Sequence, residues 1–116
     1  MPNTAELLEK KCAPQKAGLT DPQITEYLAA FDGWTLQEGK IVKIFAFKNY
    51  YETLAFINPI AYVIHAEDHH PELVVTYNRC IVKFDTHSVN NGQGGLSEND
   101  FICAAKVDAI FQQSFA

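Results

Sequence analysis

The chain has no cluster of lysine or arginine: nine basic residues are scattered among 14 acidic ones, giving a formal charge of −5. That argues against an electrostatic footprint for nucleic acid or an anionic membrane surface. No apolar run approaches the ~18 residues a membrane helix needs, and Glu6 and Glu9 precede any hydrophobic stretch. Neither a membrane span nor a secretory signal is expected. Cysteine is sparse: Cys12, Cys80 and Cys103 are odd in number and lack CxxC spacing. This favours reduced thiols over a disulfide framework or a zinc site, and a cytoplasmic location. There is no internal repeat and no low-complexity tract.

What is present is one domain's worth of apolar residues. At 116 residues and 47% hydrophobic content, the chain can bury an ordinary core without metal or disulfide staples. Residues 1–19, broken by Pro14 and Gly18, read as a loose polar arm, with a short patch at Ala5-Glu6-Leu7-Leu8 suited to one helical turn. Residues 20–116 read as a single domain. Thr20-Asp21-Pro22 is a helix start, and Ile24, Tyr27, Leu28 and Phe31 follow at helical spacing before Asp32-Gly33 closes the element. Trp34 to Leu36 and Ile41 to Phe47 read as a β-hairpin turning at Glu38-Gly39.

From Asn49 to about Ala66, Leu54, Ile57, Ala61 and Ile64 fall near one helical face. Pro59 interrupts that pattern and predicts either a kink or a later helix start. Leu73 to Tyr77 and Cys80 to Thr86 form a second strand pair, in which alternation puts Cys80, Val82 and Phe84 on the core face and leaves His87 at a strand end. Ser97-Glu98-Asn99-Asp100 is a capping box with an acid at its fourth position, opening a last helix to about Gln113. The order α-β-β-α-β-β-α is an α+β fold: a four-stranded antiparallel sheet with three helices packed on one face. Its other face and edges leave room for pairing into a symmetric oligomer.

The stretch richest in chemistry is Glu67-Asp68-His69-His70-Pro71, which holds two of the four histidines. Histidine titrates near neutrality and exchanges protons at cellular pH, while neighbouring carboxylates orient its ring. Pro71 disfavours helical geometry at His70, so the pair belongs where a helix ends and opens onto a cleft. Adjacent residues point in different directions, so His69 and His70 are poorly placed to chelate one metal ion but well placed to flank a flat ligand. His65 has a plain helix-surface reading beside a site one. Asp100 is fully accounted for by capping, with a supporting role in the site as the sharper alternative.

The run His65-x-x-x-His69-His70-Pro71, then Tyr77-Asn78, Thr86-His87 and Gly95-Leu96-Ser97-x-x-Asp100, closely resembles the pterin-4a-carbinolamine dehydratase family. The resemblance implies a hydro-lyase that removes water from a 4a-hydroxy-tetrahydropterin to give quinonoid dihydropterin, as in tetrahydrobiopterin recycling. It implies His69, His70 and His87 as pocket histidines, with Asp68, Pro71, Glu67, His65 and Asp100 as binding or supporting residues. The pterin is then the substrate, with no separate cofactor or metal. An aromatic amino-acid hydroxylase becomes the metabolic partner, and a homodimer or homotetramer the expected assembly.

Two positions depart from the family pattern. His65 stands where some members have glutamate, and Leu73 where some have tryptophan; the Asn-Gly-rich loop after Val89 is also longer than in animal members. Glu67 is the candidate replacement for the missing carboxylate. Because animal members also serve as dimerisation cofactors for a homeodomain transcription factor, a protein-binding scaffold with little catalysis is the alternative reading. A generic ligand-binding module with a dead site is a third.

Overall fold

Capping chemistry in the sequence sets where the helices begin. Thr20 Oγ1 accepts the Gln23 N–H while the Gln23 amide oxygen accepts the Thr20 N–H, a complete capping box for α2 (Asp21–Ala29). Asn49 caps α3 (Tyr50–Glu67) by accepting the Glu52 N–H at 3.0 Å. Asn3 does the same for α1 (Thr4–Glu9). The remaining elements of this computed structural model, which describes residues 2–115, are β1 (Thr35–Gln37), β2 (Lys40–Ala46), β3 (Glu72–Val75), β4 (Arg79–Phe84) and α4 (Glu98–Ser114). Met1 and Ala116, the outermost residues of the expected arm and domain, lie outside the described part.

Glu38 and Gly39 both take positive φ, 51° and 79°, which is the two-residue turn whose twist matches a hairpin. It fixes the register Gln37↔Lys40, Leu36↔Ile41 and Thr35↔Val42. The sheet is antiparallel throughout, in the order β1-β2-β4-β3. Ile41, Phe45, Cys80, Val82 and Phe84 alternate onto one face, each 0–1% exposed, where Phe56 and Ile60 of α3 and Phe101 and Ala104 of α4 meet them. On the opposite face Ile44 is 57% exposed and stands in register with Ile81, itself opposite Val74.

Two expectations need correction. The described residues form four helices, because the N-terminal patch is the separate helix α1 rather than a fragment of a loose arm. Its Leu7 is 1% exposed in the core, and the segment after it is tied down along its length. Six residues carry too little periodicity to announce such docking. Of the two outcomes expected of Pro59, a kink or a later helix start, the later start is excluded: Asn49 caps the helix, and α3 runs from Tyr50 through the proline to Glu67.

Candidate active site

The site begins where α3 stops. Asp68 takes the left-handed conformation, φ 50° and ψ 45°, and its N–H reaches the carbonyls of Ile64 and His65. This turns the chain so that consecutive histidines diverge. His69 goes inward: its side chain is 11% exposed and its ring stacks on Phe84 at 5.9 Å between centroids and 7° between planes. His70 stays outside, 5.8 Å from the His87 ring.

The inner histidine meets a carboxylate that lies 31 residues away. His69 Nε2 is 2.6 Å from Asp100 Oδ1, and the Asp100 side chain is fully buried. An ionised carboxylate only accepts hydrogen bonds, so Nε2 carries the proton and Nδ1 is the nitrogen left for a ligand. The other oxygen, Oδ2, accepts the Ser97 N–H at 2.9 Å and the Thr86 hydroxyl at 2.8 Å; that hydroxyl lies 2.7 Å from Ser97 Oγ. Asp100 is therefore both the acid of the capping box that opens α4 and the residue that fixes the His69 ring. A charge without exposure is tolerated because three donors surround it.

A second, looser couple stands across the cleft. His87 Nε2 lies 3.3 Å from Asp85 Oδ1, with the histidine side chain 74% exposed. Asp68, His69, His70, Asp85, Thr86, His87 and Ser88 line one cavity of about 170 Å³. Asp68, His69, Thr86 and Ser88 are shared with a neighbouring cavity of about 310 Å³, whose far wall is Cys12, Ala13, Pro14 and Gln15 with Glu67 and Asn99. The two form a cleft in two lobes, one floored by histidine and one walled by the N-terminal segment. Another cavity of about 310 Å³ lies between α1 and α4; two of its charged groups, Lys43 and Asp108, pair with each other at 2.8 Å, and no histidine reaches it.

Of the residues singled out from the sequence, His69, His70, His87 and Asp68 line the cleft directly, and Asp100 joins them through His69. Glu67 walls the second lobe, but its carboxylate is spoken for: it accepts the Cys12 N–H at 2.7 Å, with Lys11 and Lys106 at 4.0 and 3.9 Å. His65 is exposed and lines neither lobe. Pro71 follows the pair without lining either lobe. Among the described residues no three His, Cys, Asp or Glu side chains form a metal-holding group.

Thr86, Ser88, Asp85 and the N-terminal wall were not singled out as site residues. Thr86 alone had a signal, its place before His87 in the Thr-His motif.

Beneath the wall, the Cys12 and Cys103 thiols lie 3.5 Å apart. The Cys12 contact and burial hold the Cys103 thiol well above the ordinary thiol range. In the first turn of α4, burial acts to raise the Glu98 carboxyl, but the Tyr27 hydroxyl at 2.6 Å and the Lys10 ammonium at 3.0 Å prevail and hold it below its ordinary value.

A four-stranded antiparallel sheet under α-helices thus carries a cleft on which paired histidines at a helix end meet a third just past a strand end. The pterin 4 alpha carbinolamine dehydratase family model matches residues 17–110, and the chain belongs to that family. A Bdellovibrio bacteriovorus protein named "Putative pterin-4-alpha-carbinolamine dehydratase" is 60% identical over 116 residues, covering 100% of this chain and 97% of its own. A Nitrosomonas europaea protein of the same name is 47% identical, over 97% of this chain and 99% of its own. The crystal structure of a transcriptional coactivator/pterin dehydratase from Brucella melitensis matches with a TM-score of 0.74 at 35% identity, covering 80% of this chain and 97% of that one. No described helix is long and apolar enough to cross a membrane.

Proposed function

We propose that this protein dehydrates a 4a-hydroxy-tetrahydropterin by histidine acid–base catalysis. The observation that carries the reading is the convergence of His69, His70 and His87 on one cavity, with a carboxylate behind two of them. The reaction breaks the C4a–O bond, sends the hydroxyl away as water with one added proton, and takes one proton from a ring nitrogen; quinonoid dihydropterin remains. It therefore needs an acid within reach of the hydroxyl and a base within reach of the ring N–H.

His69 is assigned the acid. With Nε2–H held by Asp100, its imidazolium presents Nδ1–H to the departing hydroxyl, and its stacking on Phe84 fixes the ring plane. His87, oriented by Asp85, accepts the ring proton and is open enough to pass it to water. His70 walls the pocket beside it. The pterin is the substrate and no further cofactor enters these steps. Supply of the substrate by an aromatic amino-acid hydroxylase, in a tetrahydrobiopterin recycling cycle, and a dimeric or tetrameric assembly belong to the same proposal.

The test is His69→Ala, assayed for 4a-hydroxypterin decay above the uncatalysed rate. Loss of one proton-transfer group is expected to cut kcat by ~10²–10⁴-fold with the urea midpoint little changed. Near-wild-type turnover in that variant would overturn the assignment. A fully folded wild-type protein that fails to accelerate the decay would instead leave the scaffold alternative, a fit to the coactivator half of the Brucella protein's name.

A further inference from the structure

The segment between α1 and α2, residues 10–19, is a strap laid over the cleft and fastened at several points. Cys12 N–H bonds Glu67, and Asn99 grips Ala13 twice, accepting its N–H at 3.1 Å and donating to its carbonyl at 2.8 Å. Further along, Asn90 N–H reaches the Lys16 carbonyl at 2.9 Å and Leu19 N–H the Leu96 carbonyl at 2.7 Å. These bonds hold Cys12, Ala13, Pro14 and Gln15 as the outer wall of the second lobe. The matched family region begins at residue 17, so this wall lies outside it, although the Bdellovibrio relative spans the whole chain.

The size of the first lobe gives the second one a purpose. The histidine lobe is about 170 Å³, below the ~300 Å³ at which sites for small organic ligands usually begin. A bicyclic pterin carrying a side chain must extend into the neighbouring space, which it reaches past Asp68, His69, Thr86 and Ser88. Most of the polar groups there are already divided up. Glu67 holds the strap's backbone, Asn99 spends both ends of its amide on Ala13, and the Thr86 hydroxyl belongs to Ser97 and Asp100. Besides the Asp68 carboxylate, which both lobes share, two neutral polar side chains remain, Gln15 on the strap and Ser88 opposite, the former half-buried.

Resting on the pterin reading of the cleft, we infer that the strap lobe receives the substituent at C6 of the pterin, and that Gln15 selects a short, hydroxylated one by hydrogen bonding. A neutral amide suits hydroxyl groups, which both donate and accept, better than a charged tail. A site that hydrogen-bonds a ligand hydroxyl discriminates against the analogue without it, because its own polar group is then left unpaired.

The experiment measures binding rather than turnover, so that it stands apart from the catalytic assignment. Dissociation constants are determined calorimetrically for two unreactive dihydropterins, one with a dihydroxypropyl group at C6 and one with methyl. The proteins are wild type, Gln15→Ala and Gln15→Met, the last keeping bulk while removing the amide. Both variants are expected to weaken the dihydroxypropyl compound about 3- to 10-fold, the size of one lost hydrogen bond, and to leave the methyl compound within about twofold.

Equal weakening of both compounds, or no change in either, overturns the inference. So does selective weakening in Gln15→Ala that Gln15→Met restores, since shape rather than the amide would then be responsible. Turnover by wild type without Gln15-dependent selectivity sinks the inference and leaves the dehydratase reading standing. Selective binding without any turnover supports the inference and counts against the catalytic reading.

Discussion

Replacing Asp100 with asparagine separates the two tasks that one buried side chain performs. The substitution keeps the shape but leaves a single acceptor oxygen. Ser97 N–H can only donate and, with the Thr86 hydroxyl, faces Oδ2, so the amide oxygen settles there. The NH₂ then confronts His69 Nε2, which must surrender its proton to accept. The ring is driven into the opposite tautomer: it still points Nδ1–H at the ligand, but without the carboxylate and the second proton it is a neutral imidazole and a far weaker acid than the imidazolium.

Three charge-assisted bonds become neutral ones, at about 1 kcal/mol each, roughly 3 kcal/mol in all. Relief from burying a charge offsets part of this. A net loss of about 1–2 kcal/mol and a Tm lower by roughly 4–8 °C are expected. The catalytic loss is larger: kcat falls ~10²–10⁴-fold, equivalent to ~3–5 kcal/mol of barrier, with KM little changed. Stopped-flow dehydration of 4a-hydroxypterin measures the rate, and ¹⁵N NMR of His69 reads the tautomer. If Asp100→Asn keeps kcat within about threefold while Tm drops, Asp100 is a helix cap alone and the positioning argument fails.

Leu7→Ala should cost about 2–4 kcal/mol in urea denaturation, because Leu7 is 1% exposed within the core; a loss under about 1 kcal/mol would mean that α1 is peripheral after all. The Glu98 carboxyl sits below its ordinary value in the folded protein, so its contribution to stability is present above the unfolded value near 4.5. That contribution is lost as pH falls through the folded value. Glu98→Gln should therefore lower stability at neutral pH and flatten the acid limb of a stability-versus-pH curve, whereas an unchanged acid limb would show that Tyr27 and Lys10 do not hold the charge.

Elements with a local physical cause were legible in the sequence. Thr20 and Gln23 could cap each other without help from elsewhere, and Glu38-Gly39 could supply two positive φ values, so α2 begins and the first hairpin turns where the residues put them, although α2 ends at Ala29, short of the expected stop at Asp32-Gly33. Alternation likewise put Cys80, Val82 and Phe84 on the covered face. The His69–Asp100 pairing was not legible, although both residues had been singled out. Capping explained Asp100 completely from its own neighbourhood, and nothing local says that its second oxygen faces α3's end. The strap was hidden for a related reason: its anchors, Asn99, Glu67, Asn90 and Leu96, are all more than 50 residues away in the chain, and their partners on the strap are backbone groups that no side-chain pattern reveals.

The lone tryptophan gives the molecule a built-in optical probe. The Trp34 indole lies 6.1 Å from the Phe84 ring, and Phe84's ring is the one on which His69 stacks. An emitter thus stands one ring away from the His69 imidazole, close enough for efficient energy transfer to a conjugated heterocycle absorbing in the near ultraviolet. Occupancy of the cleft can be followed by quenching in the unlabelled protein, and any variant that disturbs the Phe84 ring will announce itself in the spectrum before an assay is run.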